Sequence, residues 1–126
     1  MPPDRKLLWL DQPEEHNYPA AESYLSLIFA PNEVAKLVQA LRAASISNFK
    51  AKDIFRASGL SLLGVSNGHV DRDRKKIDDG KELSPLLLVR DRRNRKVIIA
   101  DGYHRLCAVY SFDEDATIPC QVVDSD

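Results

Sequence analysis

The chain has 126 residues, 44 % of them hydrophobic and 29 % charged, with a formal net charge of −1. That length suits one domain with one core and excludes two independent ones. The near-zero charge excludes wholesale attraction to nucleic acid or to an acidic membrane surface, so any such partner must use a local patch.

The N-terminal stretch carries one short apolar run, Leu7–Leu10, broken by Asp11. It is too short for a signal-peptide core, and nowhere does the chain approach the roughly 18–20 continuous apolar residues of a membrane helix. A cytoplasmic protein with no membrane partner is expected. Residues 18–29 predict a helix, with Pro19 in a position that a first turn tolerates and Tyr24, Leu25 and Ile28 at helical spacing. Residues 31–45 predict a second, with Asn32 as a cap and Val34, Leu37, Val38 and Leu41 as one apolar stripe. A third fits 49–59, with Ile54 and Phe55 inward and Gly59 as its stop. Residues 61–69 contain Gly64 and Asn67-Gly68 and predict a loop, followed by a charged surface helix over 70–80 that ends at Gly80.

The C-terminal half changes character. Residues 85–89 and 96–100 are short, almost wholly apolar runs, as expected of strands covered on both faces. The polar segment between them carries Asn94 and predicts a hairpin. A helix fits 102–111, and a closing strand fits 117–123, where Pro119 argues for a sheet edge or a point of entry into the sheet. Alternating strands and helices over one core make the class α/β or α+β. Residues 1–68 form a mostly helical region of that single domain.

The sharpest local feature is Asp101-Gly102-Tyr103-His104-Arg105, on the seam between the strand ending at Ala100 and the helix that follows. Gly102 can adopt a turn that side-chain-bearing residues adopt only at a cost. The helix then presents unpaired N–H groups and the positive end of its dipole, an arrangement suited to anions. Arg105 adds a forked cation suited to phosphate. His104 adds a donor that titrates near neutral pH. Asp101 can hold a magnesium ion, orient a hydroxyl or cap the helix. A purely structural cap accounts for the same five residues, and both readings stand at this point.

Those residues, with the hairpin before them and the Pro119-bearing strand after them, resemble the ParB/sulfiredoxin superfamily over about residues 69–123. Residues 1–68 resemble no family. The resemblance implies a small mixed sheet with packed helices and a nucleotide or other phosphorylated ligand held at the helix start. It assigns phosphate contact to Gly102, His104 and Arg105. Asp101 matches the first residue of the Asp-Gly-His-His-Arg form found in the free serine kinase branch, which implies small-molecule kinase or nucleotide hydrolase chemistry as an alternative. A non-catalytic protein- or DNA-associating module is a second alternative.

The departures are specific. Tyr103 stands where sulfiredoxins place the catalytic cysteine, and Cys107, one turn further on, is expected in the core. The ParB helix-turn-helix and dimerisation tail are not expected, because the sequence ends at Asp126. A kinase needs a further carboxylate, for which Glu14, Glu15 and Glu22 are candidates by position. A carboxylate clustered at the motif favours an enzyme, whereas a dry, plugged motif favours the module.

Other clusters have plainer readings. Residues 90–96 carry five cations against one Asp; Arg92, Arg93 and Arg95 could touch nucleic acid, but a solvated hairpin is the commoner case. Residues 71–76 mix signs and read as a solvent face, from which Arg72 or Lys76 could reach the motif. His16 and His69 read as isolated loop residues, and Trp9 and Tyr18 as core or cover. Cys107 and Cys120 lack zinc-site spacing and read as reduced, apolar thiols. Arg105 is expected at the mouth of the pocket.

Overall fold

The computed structural model describes residues 7–64 and 67–125; residues 1–6 of the N-terminal stretch, residues 65 and 66 of the expected loop, and residue 126 lie outside the described residues. In chain order the elements are β1 (Leu8–Trp9), α1 (Asn17–Leu25), α2 (Pro31–Ala43), β2 (Ile46–Lys50), α3 (Ala51–Ser58), α4 (Gly68–Asp78), β3 (Glu82–Leu83), β4 (Leu86–Asp91), β5 (Lys96–Asp101), α5 (Tyr103–Phe112) and β6 (Thr117–Asp124). The fold is α/β. A mixed sheet runs β2–β6–β4–β5, with β4 antiparallel to β5, parallel to β6, and β6 antiparallel to β2. β1 and β3 form a separate two-stranded parallel pair. No helix among the described residues is long and apolar enough to cross a membrane.

β4 shows why the sheet is covered on both faces. Leu86, Leu87, Leu88 and Val89 are all buried, and successive side chains of a strand point to opposite faces. Leu86 and Leu88 join a core with Ile54, Val70, Ile77, Leu106 and Val109 from α3, α4 and α5. Leu87 and Val89 join a second core with Tyr18, Leu25, Leu37 and Leu41 from α1 and α2. The expected hairpin and the stripe of α2 are therefore present. Each buried leucine contributes about 1.5–3 kcal/mol through burial, which anchors β4 as the spine of the molecule.

Several expectations are corrected. The buried stripe of α1 is Tyr18, Ala21 and Leu25, whereas Tyr24, off that stripe, is 44 % exposed and Ile28, beyond the helix end at Leu25, is 48 % exposed. Tyr18 donates to Gln121 Oε1 at 2.7 Å, and Gln121 Nε2 donates to the Ala44 carbonyl at 2.9 Å, which satisfies a buried amide. α2 starts at Pro31, so Asn32 lies inside it; the Ala30 N–H instead donates to Glu33 Oε1 at 3.1 Å. Residues 46–50 form a strand that polar composition conceals, and α3 begins only at Ala51. The N–H groups of Ala51 and Lys52 bond the carbonyls of Ala116 and Glu114, which sets that start.

β6 is an interior strand, not an edge. Pro119 is accommodated because β4 begins to pair with β6 one residue later, at Leu86 opposite Cys120. The proline therefore faces a paired strand only on its β2 side. Through β2, the mostly helical N-terminal region supplies part of the sheet itself.

Candidate functional site

β5 carries the chain into Asp101, and Gly102 turns it into α5. Gly102 has φ +110°, in the left-handed region that favours glycine. A Cβ there would lie 2.7 Å from Leu86 Cγ and 2.9 Å from Arg105 Nη2, so the position is closed to side chains by contact as well as by angle. The Leu106 N–H donates to the Gly102 carbonyl at 2.9 Å, closing the first helical turn. No side chain caps α5. Its first-turn N–H groups thus open at the carboxyl end of β5, as expected.

Arg105 is not at the pocket mouth. Its side chain is 16 % exposed and folds back over the bare Gly102 backbone, where Nη2 donates to Asp101 Oδ2 and to the Pro85 carbonyl, each at 3.2 Å. The absence of a Cβ at Gly102 is what admits the guanidinium there. Arg105 Nε is buried with no partner. These contacts tie the end of β5 to the first turn of α5 and to the approach of β4, and Arg105 also lines an adjoining cleft.

His69 is not an isolated loop residue. α4 begins at Gly68, and Asn67 caps it by accepting from the N–H groups of His69 and Val70 at 2.9 and 3.3 Å. That start brings the His69 ring to 4.8 Å from the ring of His104, tilted by 34°. The Tyr103 ring lies 5.6 Å from that of His104, and the Tyr103 hydroxyl donates to the Ser61 carbonyl. Burial pushes the His104 pKa below the usual histidine value; His69 adds to that shift, and the Asp73 carboxylate opposes it.

Asp73 is the carboxylate that the mixed-sign run conceals. His69, Arg72, Asp73 and Lys76 recur at helical spacing, so one face of α4 presents them together to the motif. Burial raises the Asp73 pKa, against the pull of Arg105, Lys76, His104 and Arg72. Lys76 Nζ stands 4.0 Å from its carboxylate. Arg72 and Lys76 do reach the motif, as expected. Glu14, Glu15 and Glu22 do not line either cleft beside it.

Two clefts flank the turn. The smaller, about 150 Å³, lies between α4 and the start of α5 and is lined by His69, Arg72, Asp73, Lys76 and residues 101–105. The larger, about 420 Å³, is mainly apolar and brings Ala20, Tyr24, Leu60, Ile99 and Ala100 against the other side of residues 101–104. Among the described residues no group of three or more His, Cys, Asp or Glu side chains is arranged to hold a metal ion.

The remaining candidates lie away from this chemistry. Cys107 and Cys120 are free and buried. Burial raises the Cys107 pKa and pushes Cys120 up to about 12, so neither is poised as a thiolate. On the hairpin, Arg90 and Arg92 pair with Asp124 at 2.8 and 3.2 Å, which offsets part of the basic tip. In comparisons with known proteins, no family model, no curated protein and no solved structure matches the chain.

Proposed function

We propose that the chain binds a nucleotide, or a ligand of similar phosphorylated character, at Asp101, Gly102, Tyr103, His104 and Arg105. The observation that carries this reading is the position of residues 101–104 between two clefts of opposite chemistry. The small one combines open helix N–H groups with Arg72, Lys76 and Arg105, the partners a phosphate needs. The large one has the apolar lining and the volume of a small-molecule pocket, and Tyr24 offers a ring against which a base can stack. The resemblance to the ParB/sulfiredoxin superfamily supports the same ligand class. The order of hairpin, helix start and proline-bearing strand supports that fold family.

Asp73 favours a second reading, phosphoryl transfer to a small molecule or to water. Asp101 is engaged by Arg105 at 3.2 Å, whereas Asp73 has Lys76 at 4.0 Å and a pKa raised by burial, as a general base uses. Magnesium binds with one or two carboxylates and the ligand's own phosphates; Asp73 and Asp101 are the residues to complete such a set.

A thermal-shift comparison of nucleoside di- and triphosphates with inorganic tripolyphosphate, with and without magnesium, tests the reading. A nucleotide should raise the midpoint more than tripolyphosphate does, because only the nucleotide fills both clefts. No shift with any of them would overturn it. Turnover that Asp73→Asn abolishes while ligand binding persists would establish the second reading.

A further inference from the structure

We propose that His69 and His104 form a two-imidazole clamp on the anionic group of the ligand, and that the clamp takes up about one proton as the anion binds. This rests on the anion site proposed above and adds to it a residue from α4 and a pH response.

The geometry places the two rings 4.8 Å apart on helices whose starts converge, and both line the smaller cleft. His69 is exposed and His104 is half-buried, so the pair spans the cleft from its rim inward. The permanent charges around them are Arg72, Lys76 and Arg105 against Asp73 and Asp101. Three cations against two carboxylates leave a net of one positive charge, one short of what a dianion would neutralise. A single imidazolium supplies the difference.

Before the anion arrives, that proton is disfavoured. Burial and the neighbouring His69 imidazole oppose it at His104, Asp73 favours it, and Asp101 is already paired with Arg105. The Tyr103 ring of α5 lies 5.6 Å from His104, and Tyr24 of α1 lines the larger cleft with it. The empty site thus holds the His104 pKa below the usual histidine value. An arriving dianion reverses the balance. Binding and protonation therefore strengthen each other, and affinity must rise as the pH falls.

The test is a sulfate titration of the full chain followed by NMR of the two imidazole rings, because sulfate stays dianionic throughout the range. Saturating sulfate should raise the titration midpoint of His104. Sulfate affinity should increase between about pH 7.5 and pH 5.5, by up to about tenfold per pH unit where one proton is taken up. His69→Ala and His104→Gln should keep a native spectrum and lose most of that increase. Equal parent affinity at both pH values, or His69→Ala with the parent's pH slope, would overturn the clamp and leave the nucleotide reading standing. Failure of sulfate to bind at any pH would also overturn the clamp. If nucleoside triphosphates fail too, the anion site itself is refuted.

Discussion

α4 and α5 touch at their N-termini through His69 and His104, yet the two helices begin in opposite ways. At α4 the side chain of Asn67 accepts from the first-turn N–H groups of His69 and Val70, so the backbone satisfies itself within the protein. At α5 the starting residue is Gly102, which has no side chain, and the space a Cβ would need is occupied by Leu86 and Arg105. A capped helix has little to offer an anion from its backbone; an uncapped one facing Arg72 and Lys76 retains its donors. The two starts divide the labour, α4 contributing side chains and α5 contributing backbone.

Substitution at Gly102 breaks this arrangement most severely. Gly102→Val forces a β-branched residue into φ +110° and against two fixed neighbours; a loss of about 3–5 kcal/mol is expected, read as a lower urea midpoint. Arg105→Ala comes next. It removes two hydrogen bonds and leaves Asp101, 18 % exposed, without its partner, so a loss of about 2–3 kcal/mol is expected in the same measurement. Calorimetry on the surviving folded fraction should also show nucleotide binding weakened by about ten- to a hundredfold. Because Arg105 is inward, its removal affects fold and ligand together, unlike a residue at a pocket mouth.

Asn67→Ala sharpens the comparison from the other side. It should cost about 1 kcal/mol and weaken the contact between the imidazole rings, visible as ring shifts at His69 and His104. The smallest effect belongs to the hairpin. Arg92→Ser, Arg93→Ser and Arg95→Ser together should leave stability within about 0.5 kcal/mol, since the Arg92–Asp124 pair is solvent-exposed. Nucleotide binding should be unchanged. A large loss in that triple variant would move the anion site to the hairpin.

The parts of this site that local pattern encodes were legible in the sequence. Apolar runs marked β4 and β5, and the glycine at their exit marked the turn, because both follow from backbone geometry and burial. Of the α4 half only the reach of Arg72 and Lys76 was legible; His69 and Asp73 were hidden for a physical reason. His69 joins His104 only through tertiary packing, and its helix start was masked by Asn67-Gly68, which reads equally as a turn or as a cap followed by a helix. The spacing of His69, Arg72, Asp73 and Lys76 was the available signal, lost within a run whose mixed charges suggest solvent. β2 was hidden because most of its residues are exposed, so neither apolar alternation nor a continuous run announces it. Pro119 left two readings open, a sheet edge or a point of entry, and the second holds, because β4 starts to pair with β6 one residue later, at Cys120.

The claim that α5 keeps its backbone donors for an anion is tested most directly by ¹H–¹⁵N NMR of the full chain titrated with inorganic tripolyphosphate. The largest saturable amide shifts should fall at Tyr103, His104 and Arg105, with smaller ones at His69 and Val70, whose N–H groups Asn67 already holds. Absence of saturable shifts at residues 103–105, or larger ones at residues 92–95, would contradict it.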